Sequence, residues 1–321
     1  MADFDVFNGD ADGICALLQL RLTEPRESTL VTGVKRDIAL LGGVEAGAGD
    51  RVTVLDISLD KNRDALSALL DRGAAVWYCD HHYAGELPEH ERFEAHINTE
   101  PTVCTSSLVN GCLAGAQRPW AVVGSFGDNL RASARALARP LALSEERLQR
   151  LEQLGSYINY NGYGPELSEL HFHPAQLFRE LLPYRDPEQF MADNREIFER
   201  LEHGYRADLG AARALTPTYR DDRVAVFLLP AETWARRVSG VFSNELTNAD
   251  PARAHAVVTP KRDGGLLVSV RAPLADRGGA DELCRQFASG GGRAAAAGIN
   301  DLPPEQLSAF VDRFAAFYAA R

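Results

Sequence analysis

One arrangement recurs in the first part of this chain and limits what it can fold into. A short apolar run ends on aspartate, and a helical run follows. "DVFNGDADGICALLQL" (5–20) carries Asn8, Asp10 and Asp12 at the junction, and "RVTVLDISLD" (51–60) reaches Asp56. "AAVWYCDHH" (74–82) ends in Asp80, His81 and His82, and "AVVGSFGDN" (121–129) ends near Asp128. "STLVTGVKRD" (28–37) reads as a further strand with Lys35 and Arg36 at its end. Helical patterns fill the gaps at 13–22, 61–72 and 105–115. Strands alternating with helices predict an α/β fold with a parallel sheet covered on both faces.

In such sheets ligands bind outside the carboxyl ends of the strands. Taken singly, the acids have structural explanations. On residues 5–20 alone, helix capping and metal binding are equally good readings. Four strand ends delivering Asp or His to one crevice are harder to explain that way, because converging carboxylates repel unless cations neutralise them. Carboxylates with imidazole and no thiolate suit Mn²⁺ or Mg²⁺ better than zinc, and histidine tilts the choice toward Mn²⁺. The ligand set suffices for two ions about 3.5–4 Å apart sharing a carboxylate, an arrangement that drives in-line displacement at phosphorus.

Residues 130–215 read as amphipathic helices, interrupted by the Gly/Pro-rich "NYNGYGPELSELHFHPAQ". His171 and His173 in that stretch are read as packing or surface residues before substrate contacts. A second α/β pattern starts near 216. Its run "SGGGRAAAAGIN" (289–300) is read as a glycine loop leading into an alanine helix. There Gly290, Gly291 and Gly292 would let backbone N–H groups approach an anion, and Arg293 and Arg271 would add charge-assisted bonds to phosphate. The expected organisation is 1–150, 151–215 as a helical linker, and 216–321.

The 321-residue chain carries a net charge of −11, with no basic run of the kind that tracks long nucleic acid. No apolar run has membrane-spanning length, and the acidic N-terminus lacks a signal-peptide pattern, so the cytoplasm is the expected compartment. Cys15, Cys79, Cys104, Cys112 and Cys284 form no metal-type cluster and read as buried reduced thiols.

The sequence resembles the DHH phosphoesterase superfamily in its DHH–DHHA1 branch. "NGDADG", Asp56, "DHH" at 80–82 and Asp128 are similar to the four motifs of the first domain. "GGGRAAAAG" and "VSVRAP" are similar to two of the accessory domain. The resemblance implies two Mn²⁺ ions (or Mg²⁺) held by Asp10, Asp12, Asp56, His81 and Asp128, with Asp56 bridging. It also implies His82 facing the substrate phosphate, Asp80 orienting the histidines, and water as nucleophile in a cleft between two lobes. Two departures stand out. Val6 replaces the histidine of many nanoRNases, and Asn8 replaces the aspartate of RecJ-like members, leaving Asn8 as a weaker ligand through its carbonyl oxygen. Arg293 replaces the accessory histidine.

The expected activity is Mn²⁺-dependent hydrolysis of dinucleotides or very short oligonucleotides to mononucleotides, with no long nucleic-acid track and no membrane partner; a homodimer is allowed. The alternatives are a phosphatase on a small 3′-phosphonucleotide, a RecJ-like single-strand exonuclease, and an inactive nucleotide-binding regulator.

Overall fold

The computed structural model describes residues 1–321. They divide into two compact units, Met1–Glu202 and His203–Arg321.

The first unit begins with β1 (Asp3–Phe7), α1 (Ala11–Thr23), β2 (Thr29–Thr32), β3 (Arg51–Leu55), α2 (Leu59–Asp71), β4 (Ala75–Asp80) and β5 (Phe93–Ile97). The five strands pair in parallel in the order β2-β1-β3-β4-β5. Parallel neighbours need crossovers, and α1 and α2 supply two of them. The order reverses between β1 and β3, so the sheet has a topological switch point at their carboxyl ends. Val6, Val54, Val76 and Tyr78 pack with Leu66 and Leu69 of α2 in one buried cluster.

Helices complete this unit: α3 (Thr105–Cys112), α4 (Arg118–Gly127), α5 (Arg131–Ala138), α6 (Glu145–Asn161), α7 (Pro174–Leu181), α8 (Pro187–Asp193) and the start of α9 (Arg195–Arg213). The run 121–129, expected as a fourth strand, is therefore helix α4. Trp120–Gly127 is buried all round, and such an apolar run has no period to separate strand from helix. Pro119 in the first turn suits a helix start. Glycines let α4 come close to its neighbours. A Cβ on Gly124 would lie 2.2 Å from Ser106 Oγ, and one on Gly127 would lie 2.3 Å from Ala11 Cβ. The α4 C-terminus is thereby held against the start of α1.

The second unit contains the rest of α9, then β6 (Tyr219–Arg220), β7 (Val224–Leu228), α10 (Thr233–Ala249), β8 (Ala254–Pro260), β9 (Leu266–Arg271), α11 (Ala280–Cys284), β10 (Gly290–Arg293), β11 (Ala296–Leu302) and α12 (Leu307–Ala319). The mixed sheet runs β10-β11-β9-β8-β7-β6. One face packs on α11 and α12 through Val258, Val268, Phe310 and Phe314, and the other on α9 and α10 through Leu209, Val257 and Phe242.

Three sequence expectations change here. The glycine run is an edge strand with no helix after it, because the alanines pair in register with β9 (Ala296 with Arg271, Ala297 with Val270) and pairing overrides their helix propensity. The unit boundary falls inside α9, so α6, α7 and α8, expected as a linker, belong to the first unit. Cys112 is exposed, whereas the other four thiols are buried, and none is in a disulfide. No helix is long and apolar enough to cross a membrane.

Candidate metal centre

The strand ends of the first unit bring their acids together, and each acid is held by a different local device. Asp10 is the N-cap of α1, where its Oδ1 accepts the backbone N–H groups of Asp12 (3.0 Å) and Gly13 (3.1 Å). Its Oδ2 receives the ammonium of Lys35, just past the end of β2. Capping is thus a real role of Asp10. Asp12, in the first turn of α1, is held from α3. Its two carboxylate oxygens each accept a backbone N–H at the start of α3, from Thr105 and from Ser106, both at 2.7 Å.

Asp56 follows β3 with φ +59°, the left-handed region that Asp and Asn tolerate better than other side chains. That conformation turns the chain at the switch point. Its Oδ1 accepts the Thr105 hydroxyl at 3.1 Å and lies 3.4 Å from His81 Nε2. His81 donates Nδ1–H to the Val103 carbonyl at 2.9 Å, which aims Nε2 at the carboxylates, where it would be the ligand nitrogen once a bound cation displaces its proton. Asp12 Oδ2 and Asp128 Oδ2 each stand 3.9 Å from that nitrogen. Asp128 caps the C-terminus of α4, where the helix dipole adds negative potential. His82 is bonded through Nδ1 to the buried Asp80 at 2.7 Å, and its ring is 38% exposed. The other Asp80 oxygen is buried without a partner.

The titration behaviour reflects this crowding. Burial raises the Asp12 carboxyl above its usual value, and Asp128 and Asp10 push the same way. Burial, with Asp10 and Asp12, raises Asp56 well above the carboxylate range. Burial also works against Asp10, but the charge and hydrogen bond of Lys35 bring it down to about 2. Burial disfavours a charged His81, yet Asp56, Asp128 and Asp12 push it up to about 10. Without a cation, protons must supply the positive charge that these groups demand.

Two sets of side chains bring ligand atoms within 4.8 Å of one another: Asp12, His81 and Asp128, and Asp56, His81 and His82. Carboxylate oxygens with a deprotonated imidazole nitrogen fit a hard divalent cation. Cys15 and Cys104 are nearby, but burial and the charge of Asp12 raise both thiols well above their usual value, so neither offers a thiolate.

No protein-family model matches the sequence, and no curated protein matches it. Solved structures do. A manganese-bound exonuclease RecJ is 18% identical with a TM-score of 0.64, covering 99% of this chain and 90% of that one. A pGpG-specific phosphodiesterase, PggH from Vibrio cholerae, is 14% identical with a TM-score of 0.56, covering 100% and 99%. RecJ from Thermus thermophilus with Mn²⁺ is 18% identical at a TM-score of 0.68, and the match spans 52% of that longer chain. This chain has the DHH–DHHA1 fold.

The remaining positions singled out in the sequence take their places in that fold. Asn8 is occupied at both ends of its amide. Oδ1 accepts Asp10 N–H and Nδ2 donates to the Lys35 carbonyl, both at 3.2 Å. In the DHHA1 unit, Arg293 on β10 is exposed and aligns across β11 with Arg271 on β9, through Ala296, which pairs with both. Arg271 donates Nε–H to Asn244 Oδ1 at 2.8 Å. Gly290 sits where a Cβ would lie 1.7 Å from the Cys284 carbonyl oxygen, and Gly292 has φ +142°. Both glycines therefore have packing reasons of their own, which the anion-loop reading did not contain. Gly291 has open space where a Cβ would be. His173 caps α7 through Nδ1, and His171 Nε2 bonds the Tyr160 hydroxyl.

Sequence reasoning gave no role to Lys35, Thr105, Ser106 or Val103. For Lys35 a signal existed, since it closely follows the strand next to β1. For the others there was none: Val103 and Ser106 reach His81 and Asp12 through backbone groups, and the Thr105 hydroxyl meets Asp56 from 49 positions away.

Proposed function

We propose that this chain is a divalent-cation-dependent phosphodiesterase that cleaves dinucleotides or very short oligonucleotides to mononucleotides. The observation that supports it most is the meeting of Asp12, Asp56, His81 and Asp128 at the switch point of the parallel sheet. Likeness over full length to a fold shared by RecJ and a pGpG-specific phosphodiesterase points the same way. A cation held there, Mn²⁺ in preference to Mg²⁺, supplies Lewis-acid neutralisation of charge at a phosphate. The protein's own part is preorganisation. Val103 fixes the His81 tautomer, and the α3 N-terminus orients Asp12. Asp80 holds Nδ1 of His82, so that Nε2 of this half-exposed ring serves a substrate phosphate oxygen. Arg271 and Arg293 are the proposed phosphate-binding groups of the second unit, the guanidinium matching phosphate geometry. A net charge of −11 gives no reason for long strands to bind.

The test is a panel of labelled substrates of two to about twenty-four nucleotides, with cyclic dinucleotides and 3′-phosphonucleotides, under Mn²⁺, Mg²⁺ and chelator. The expected result is Mn²⁺-dependent release of mononucleotides, with kcat/KM falling steeply beyond a few nucleotides. Equal efficiency on the longest strand would favour a RecJ-like exonuclease. Cleavage confined to 3′-phosphonucleotides would favour a phosphatase, and no turnover with any metal would favour a regulator.

A further inference from the structure

The positive side chain at this centre has a geometry of its own. Lys35 is fixed along its length. Its backbone N–H donates to the Gly162 carbonyl at 2.9 Å, and its carbonyl accepts the Asn8 amide at 3.2 Å. Its ammonium bonds Asp10 Oδ2 and Asn159 Oδ1, the latter at 3.2 Å, and lies 5.5 Å from the centre of the Tyr163 ring. Gly162 permits this closeness, since a Cβ there would stand 3.0 Å from Asp10 Cα and from the Gly9 carbonyl oxygen. The Lys35 side chain is 24% exposed and Asp10 4%, so the pair is sheltered and not a surface ion pair.

The ligand inventory is uneven in the same place. The acids whose atoms close around His81 are Asp12, Asp128 and Asp56. Beside Asp10 stand the carboxyl of Asp56, which is shared with the His81 cluster, and neutral Asn8, with both amide ends engaged. That corner offers a second divalent ion one carboxylate of its own, Asp10, and Asp10 already holds an ammonium.

We propose that Lys35 is a resident cation that takes the place of a second divalent ion, so that the centre binds one Mn²⁺ per chain. The ion lies with Asp12, Asp56, His81 and Asp128, and Asp10 is neutralised by the protein itself. An ammonium carries a single charge and three directed donors, which satisfy Asp10 and Asn159 without coordination geometry. The proposal rests on the reading of the His81 cluster as a cation site, and it deepens the proposed function.

The experiment counts ions on the full-length chain. Protein stripped with chelator, loaded with Mn²⁺ and desalted is assayed for manganese by mass spectrometry and examined by electron paramagnetic resonance. The wild type should hold one Mn²⁺ with the spectrum of an isolated ion. Lys35→Arg, which keeps a cation, should also hold one. Asn8→Asp combined with Lys35→Met should hold two, with the spectrum of an exchange-coupled pair, circular dichroism confirming the fold. Two coupled ions in the wild type, or a single ion in the folded double variant, overturns the proposal. If the double variant does not fold, the wild-type count still decides: anything other than one ion overturns it. Dinucleotide hydrolysis is scored on the same wild-type sample. One bound ion without hydrolysis defeats the proposed function and leaves this inference standing; two ions with hydrolysis do the reverse.

Discussion

Asp56→Asn separates the cost of building this centre from what the centre binds. Asparagine is chosen because it tolerates the +59° φ of this position and keeps an oxygen for the Thr105 hydroxyl. What disappears is a negative charge that burial and the neighbouring Asp10 and Asp12 hold at an unfavourable potential. Because the folded carboxyl titrates above its unfolded value, its ionisation destabilises the fold as pH rises through that range. The metal-free variant should therefore melt at or above the wild type at neutral pH. The wild type should gain from metal by mass action, about 2.7 kcal/mol at a hundredfold excess of Mn²⁺ over Kd. For a unit of this size each kcal/mol moves Tm by about 2–4 °C, so the wild-type shift is roughly 5–11 °C. In Asp56→Asn the shift should nearly vanish. Differential scanning calorimetry with and without Mn²⁺ reads both effects. A metal-free variant melting several degrees below the wild type would show that the carboxylate holds the fold together. An undiminished Mn²⁺ shift would show that Asp56 does not bind the ion.

Two further predictions concern the scaffold. Arg21 clamps the buried Asp5 of β1 with bonds of 2.5 and 2.7 Å, so Arg21→Met should cost about 3–5 kcal/mol in urea unfolding by leaving that charge unpaired. Asp5→Val with Arg21→Met should recover most of the loss, and a single-variant cost below about 1 kcal/mol would contradict the reasoning. His255, in β8, is buried with no partner for Nδ1, and burial lowers its pKa to about 4. A histidine with a depressed folded value contributes full stability above its unfolded pKa of about 6.5 and loses it as pH falls toward 4. Between pH 7 and 4.5 the wild type should lose roughly 2–3 kcal/mol more than His255→Phe. Parallel acid limbs in urea titrations of the two proteins would rule this out.

Much of the centre follows from local chemistry. Apolar β-branched runs ending on Asp56 and on Asp80-His81-His82 declared parallel strands with a ligand site at their ends, and β3 and β4 are those strands. Asp10 and Asp12 at the head of a leucine-rich run declared a helix start, and Asp10 caps α1. Such features are readable because period, capping and charge are properties of neighbours along the chain. The rest depended on which surfaces meet. Residues 121–127 lack a period, so only packing through Gly124, Gly127 and Gly155 made them a helix and delivered Asp128 from its C-terminus. The alanines after Gly292 favour a helix locally and became a strand because β9 offered an edge. Lys35 is ordinary in sequence. Its meeting with Asp10, 25 positions away, exists only because β2 pairs with β1, and pairing across a sheet leaves no mark on local composition.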